Sequence, residues 1–173
     1  AFAKTYMPDR DDSQDRQPVP KDKLIILQKA CQETDDEMRW LLALISATRM
    51  RLSEAAGLHR DDIILDAPIP HINLTAHPWR RLKTAESERD VPLVGATLWG
   101  LMRAVECCDG GLLFPRYCTP EGNKANYASS ALNKWLRSYV PDGCVVHSFR
   151  HSMRDRLRAV QCPSDIIDQI GGW

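Results

Sequence analysis

Apolar positions along this chain recur mostly at three- and four-residue intervals, the period of a helix with one buried face. Residues 21–31 make the first such segment, with Leu24, Leu27 and Gln28 on one side. Thr34-Asp35-Asp36-Glu37 then reads as a capping box, in which the Thr34 hydroxyl accepts a backbone N–H of the next helix and Glu37 reaches back. The following segment is apolar nearly all round, through Met38, Trp40, Leu41, Leu42, Leu44 and Ile45, which predicts a helix at the buried centre of the fold, ending near Thr48. Ser53 can cap a short helix over residues 54–56, and Gly57 can stop it. Residues 63–65, 69–75 and 89–93 read as strands, with a turn at Asp66-Ala67-Pro68 and the segment around Lys83 connecting the second strand to the third. Helical spacing resumes at Val94, Leu98, Leu101, Met102 and Val105, and again at Ala128, Ala131, Leu132, Trp135, Leu136 and Tyr139. Residues 148–160 predict a helix that buries Phe149, Met153, Leu157 and Val160, and Pro163 opens a last one through Ile166, Ile167 and Ile170. The expected fold class is α+β, mainly α-helical with one small three-stranded antiparallel sheet.

Composition narrows the picture. With 173 residues and 43% hydrophobic content, the chain can build one domain with its own core but not two large ones. Residues 1–19 are polar, contain Pro8 and Pro18, and read as a linker or arm before a domain over residues 20–173. No apolar stretch approaches the roughly 20 residues that span a bilayer and no signal peptide is visible, so a membrane partner is not expected. Cys31, Cys107, Cys108, Cys118, Cys144 and Cys162 include no CxxC pair, which reads as reduced thiols in a cytosolic protein and no metal site. Lys plus Arg (23) balance Asp plus Glu (23), and zero net charge by itself argues against a nucleic-acid partner. The charges are segregated, however. Arg80, Arg81 and Lys83 stand together, Arg150, Arg154, Arg156 and Arg158 crowd one predicted helix, and acids gather in residues 9–15 and 35–37.

Several residues stand where chemistry is plausible. Arg51 follows the buried helix at the point where periodicity breaks; such an arginine is ordinarily solvated, but Glu54 can pair with it and fix its fork. Lys83 lies in a turn, where a lysine is ordinarily only a surface charge. His147 and Arg150, three apart at a helix start, share its first turn, where backbone N–H groups and the dipole favour an anion. Arg154 and Arg158 continue that stripe at spacing four and, with Arg80 and Arg81, suit contacts to a DNA backbone. His151 reads as a packed supporting histidine, and Trp173, after Gly171-Gly172, offers one indole N–H donor. Two arginines, a lysine and a histidine suit a phosphodiester in its transition state, which needs donors around its equatorial oxygens and an acid for the leaving oxygen.

In order and residue type, Thr48-Arg49-Met50-Arg51-Leu52-Ser53-Glu54, the pattern Lys83-Thr84…Ser87-x-Arg89-x-Val91-Pro92-Leu93 and His147-Ser148-Phe149-Arg150-His151 resemble the catalytic domain of the tyrosine recombinases, the phage-integrase family. The resemblance covers residues 20–173 and implies site-specific DNA recombination by strand cleavage and rejoining through a 3′-phosphotyrosyl intermediate. It implies that Arg51 and Arg150 grip the scissile phosphate, that Glu54 supports Arg51, and that Lys83 protonates the leaving 5′ oxygen. His147 would donate to the phosphate or shuttle the nucleophile's proton, and Trp173 would donate to a phosphate oxygen. It implies no cofactor and no metal, a double-stranded DNA attachment site and further recombinase protomers in a tetramer as partners, and the cytoplasm of a bacterial host, in a phage or prophage setting. The chain departs from the pattern in two places. Arg49 stands where the family usually has glycine, so a backbone that needs φ > 0 there would be strained. The nucleophilic tyrosine belongs beyond Trp173, and Tyr6, Tyr117, Tyr127 and Tyr139 all precede His147. These 173 residues are therefore expected to be a fragment without covalent activity, with apolar surface exposed near Ile166, Ile167 and Ile170. A type IB topoisomerase-like DNA relaxation activity and a catalytically silent DNA-binding relative are the alternatives.

Overall fold

The computed structural model describes residues 17–84 and 87–172; the expectations placed on residues 1–16 and on Trp173 lie outside the described residues. Helix α1 (Lys21–Thr34) and helix α2 (Glu37–Ile45) are joined by Asp35, at φ 48, and Asp36. The expected capping box is not formed. Thr34 is still helical and its hydroxyl donates to the Ala30 carbonyl at 2.9 Å, so it cannot turn toward α2. The Asp36 carboxylate caps α2 instead, accepting from the Arg39 N–H at 3.0 Å. Every residue from Trp40 to Ile45 is buried, as the all-round apolar pattern predicts, and α2 ends at Ile45. It packs between α1 and helix α4 (Ala96–Glu106). A Cβ at Gly100 of α4 would stand 2.7 Å from the Trp40 carbonyl oxygen, so this close approach depends on glycine.

The short helix α3 spans Leu52–Ala56 and is opened by Glu54, whose carboxylate accepts the Arg51 N–H at 2.9 Å; the expected cap, Ser53, lies inside the helix. Strands β1 (Ile63–Ile64), β2 (His71–Leu74) and β3 (Arg89–Pro92) form one antiparallel sheet in the order β1-β2-β3, with Ile63 opposite Ile72 and Leu74 opposite Arg89. Ile72, Leu74 and Val91 point into the core, and Arg89 occupies an inward position beside them.

Beyond α4 lies a hairpin of strands β4 (Cys118–Thr119) and β5 (Gly122–Asn123), too short for alternation to announce it. Helix α5 (Ala125–Leu136) buries Ala128, Leu132 and Leu136. Helix α6 (Ser148–Ala159) differs from expectation in which face it buries: Ser148, Phe149, Arg150 and Ser152 are inside, Met153 and Leu157 are half-buried, and Val160 is 74% exposed. Only the N-terminal half of α6 enters the core; Val160 lies past the last helical residue. The Ser152 hydroxyl accepts the Val19 N–H at 2.7 Å, which ties the segment before α1 to α6. Helix α7 (Ser164–Gly171) turns Ile167 inward, leaves Ile170 half-buried and exposes Ile166, so the expected apolar patch reduces largely to Ile166. No described helix is long and apolar enough to cross a membrane.

Candidate active site

Four elements converge on one cleft of about 410 Å³ lined by Arg51, Lys83, Thr84, His147, Arg150, His151, Arg154 and Gly172. Its described lining carries four cationic side chains, two imidazoles and no carboxylate. Arg51 comes from the turn before α3, Lys83 and Thr84 from the β2–β3 connection, and the others from the first two turns of α6 and the end of α7. Arg51, His147 and Arg150 also border a second hollow of about 320 Å³ against α5. The sequence-predicted residues Arg51, Lys83, His147, Arg150, His151 and Arg154 are thus brought together from positions up to a hundred residues apart.

Each side chain is held differently. Arg51 is 27% exposed and donates to Glu54 Oε1 at 2.6 Å, while Glu54 itself is 1% exposed. The Ser87 hydroxyl lies 3.5 Å from the same Arg51 nitrogen. One carboxylate behind the cleft therefore fixes both the backbone and the guanidinium of Arg51, which leaves its outer edge toward the cleft. Arg150 is buried: it donates to the Arg49 carbonyl and, through Nη2, to the Gly171 carbonyl at 3.1 Å. Burial, followed by the neighbouring Arg51 charge and partly offset by Glu54, lowers the Arg150 pKa to about 10, so the group stays cationic at neutral pH. His147, at the N-cap position of α6, is exposed, and its ring lies 5.5 Å from that of half-buried His151. Lys83 is exposed in its turn.

The DNA-backbone candidates separate. Arg81 is exposed and lines a groove of about 670 Å³ with Trp79, Lys124 and Tyr127. Arg154 reaches the cleft and Arg158 is exposed on α6. Arg80 is a correction. It is fully buried and grips Asp62, Nη1 to Oδ2 at 2.6 Å and Nη2 to Oδ1 at 3.0 Å, with further bonds to the Gly57 and Thr75 carbonyls. A guanidinium so enclosed anchors the β2–β3 connection and presents nothing to a DNA surface.

Two residues that matter to this geometry escaped the sequence reading as contributors. Arg89, buried in β3, donates to Glu54 Oε2 at 3.1 Å, to the Ser87 carbonyl at 2.7 Å and to the Ile170 carbonyl at 2.9 Å. Arg49 is wholly buried and donates to the Ile167 carbonyl. Arg49 does adopt the positive φ that a glycine would favour, at 54°. The local signal for Arg89 was its place two residues before inward-facing Val91; for Arg49 it was the missing glycine.

No protein-family profile and no curated protein matches the chain. Among solved structures the chain is similar to the Tn1549 transposon integrase in complex with a circular intermediate DNA, with a TM-score of 0.73 and 14% identity over 95% of this chain and 60% of that one. It is similar to XerA recombinase (TM-score 0.70, 15% identity, 97% of this chain and 57% of that one). It is also similar to XerH site-specific recombinase bound to a palindromic difH substrate (TM-score 0.64, 16% identity, 91% and 46%). The fold is that of a tyrosine recombinase catalytic domain. The chain spans 60%, 57% and 46% of the length of those three proteins.

Proposed function

We propose that this chain is the catalytic domain of a site-specific DNA recombinase that cleaves and rejoins strands through a 3′-phosphotyrosyl linkage. The observation that carries the reading is the cleft in which Arg51, Lys83, His147 and Arg150 meet, with no carboxylate among its described lining residues. Its fold relatives support it, since two of the structures named are DNA complexes. Arg51 and Arg150 neutralise the non-bridging oxygens of the scissile phosphate, and both forks are oriented before DNA arrives, so little reorganisation is needed as charge develops. A tyrosine hydroxyl from outside these 173 residues attacks phosphorus; the bond to the 5′ oxygen breaks, and Lys83 gives that oxygen a proton. Its exposed position in a turn suits an acid that engages once DNA is seated. His147 takes up the tyrosine proton or donates to the phosphate, and Trp173 supplies a further donor. The reverse reaction rejoins the strand to a new 5′ hydroxyl. Partners in this reading are a duplex attachment site and further protomers in a tetramer, in the cytoplasm of a bacterial host, as for an integrase of phage or prophage type.

The test incubates the full-length protein with a nicked duplex and resolves the products on a denaturing gel. A covalent protein–DNA adduct is expected, and Arg51→Ala or Arg150→Ala should slow its formation by about 10²–10³-fold, the cost of a lost transition-state donor. DNA binding with no adduct points to the silent relative. Supercoil relaxation on any sequence, without strand exchange, points to the topoisomerase alternative.

A further inference from the structure

The turn between α2 and α3 holds an arginine where the backbone favours glycine. Arg49 sits at φ 54, a conformation strained for any residue with a Cβ, so contacts elsewhere must hold it there. Those contacts close a loop. The Arg49 guanidinium donates to the Ile167 carbonyl of α7, the Arg49 carbonyl accepts from the Arg150 guanidinium, and Arg150 donates onward to the Gly171 carbonyl of the same helix. On the other side, Arg89 binds the Ile170 carbonyl and Glu54, and Glu54 holds Arg51. Arg89 and Arg150 therefore cap the carbonyl end of α7, Arg49 holds the Ile167 carbonyl further up the same helix, and the cleft residues Arg51 and Arg150 are both linked to it.

We infer that Arg49 is a positioning residue through which the seating of α7 on the domain sets the orientation of the Arg150 guanidinium in the cleft. A single residue does both jobs, side chain to α7 and carbonyl to Arg150, so the helix cannot lift without disturbing the arginine. The inference deepens the recombinase reading, because it makes a complete phosphate clamp conditional on a docked α7, and its consequence for strand cleavage rests on that reading.

The test follows the guanidinium signals of Arg150 by NMR on the present chain with labelled arginine, assigned by Arg150→Lys, alongside amide hydrogen exchange in α7. Arg49→Gly relaxes the backbone and removes the whole side chain, guanidinium included, while keeping the carbonyl that Arg150 binds. It should keep the far-UV spectrum, speed α7 exchange at least tenfold and speed Arg150 N–H exchange at least tenfold, while Arg49→Lys, which retains a donor, restores most of both. Should Arg49→Gly fail to fold, Arg49→Met against Arg49→Lys makes the same comparison with volume kept and the donor removed. Unchanged Arg150 signals in a folded variant whose α7 exchange is faster would overturn the coupling, as would unchanged exchange in α7. Duplex titration of the wild-type chain separates the two claims: a chain that binds no DNA sinks the recombinase reading and leaves the Arg150 measurement to decide the coupling.

Discussion

Glu54 is the residue on which two cations depend. Its two oxygens hold Arg51 and Arg89, at 2.6 and 3.1 Å, in a setting only 1% exposed. Removing one partner of a buried ion pair leaves the other charge uncompensated, so Glu54→Ala should cost about 3–5 kcal/mol in urea denaturation. Gly172 makes a complementary case: it lies at φ 65, and a Cβ there would stand 2.7 Å from Arg89 Nη1. Gly172→Ala should destabilise by about 1–2 kcal/mol from the backbone alone and displace Arg89, visible as a shifted arginine side-chain signal. At this scale the sequence was legible for residue type and not for burial. Arg51 and Glu54 are three apart, so their pairing could be read from helix geometry. Nothing local distinguishes Arg80, sealed against Asp62, from its exposed neighbour Arg81.

Among the elements, the β2–β3 connection that carries Lys83 is anchored by Asp62. Burial opposes ionisation of Asp62, but hydrogen bonds from Arg80, the His59 backbone and His77 outweigh it and hold the carboxyl below its ordinary value of 3.8. A carboxyl depressed in the folded state contributes stability that is complete above its unfolded pKa and is lost as pH falls through the lower folded value. The urea midpoint should therefore drop on acidification below about pH 4, and Asp62→Asn should be less stable at neutral pH and show a shallower acid-side fall. An identical pH profile in both proteins would remove Asp62 from this role. The longer helices were readable because their periods are long and regular; the single 3-10 turn at Arg60–Asp62 was not. The β4–β5 hairpin was not, having two residues per strand, and the buried face of α6 was misassigned because amphipathic spacing cannot reveal how far along a helix the core extends.

For the whole molecule, charge balance conceals a basic cleft. Under the proposed function, binding to duplex DNA should weaken steeply as salt rises, since each phosphate neutralised releases counterions. Arg81→Ala, Arg154→Ala and Arg158→Ala should each weaken binding evenly across sequences and lower the salt slope by about one. Arg80→Ala should instead destabilise the domain, because its guanidinium fills the interior. Anisotropy titrations at several salt concentrations, paired with denaturation curves, separate the two outcomes.

The order of the α-helices and of the three-stranded sheet, the buried α2 and the identity of the cationic residues were determined by the sequence alone, because periodicity and residue type are local properties. Only the tertiary structure decided which cations meet in a cleft and which are enclosed. That choice depends on contacts between distant residues: Arg49 with Ile167, Arg89 with Glu54 and Ile170, Arg80 with Asp62. An arginine's desolvation is decided by what closes over it, and here the covering groups come from other parts of the chain.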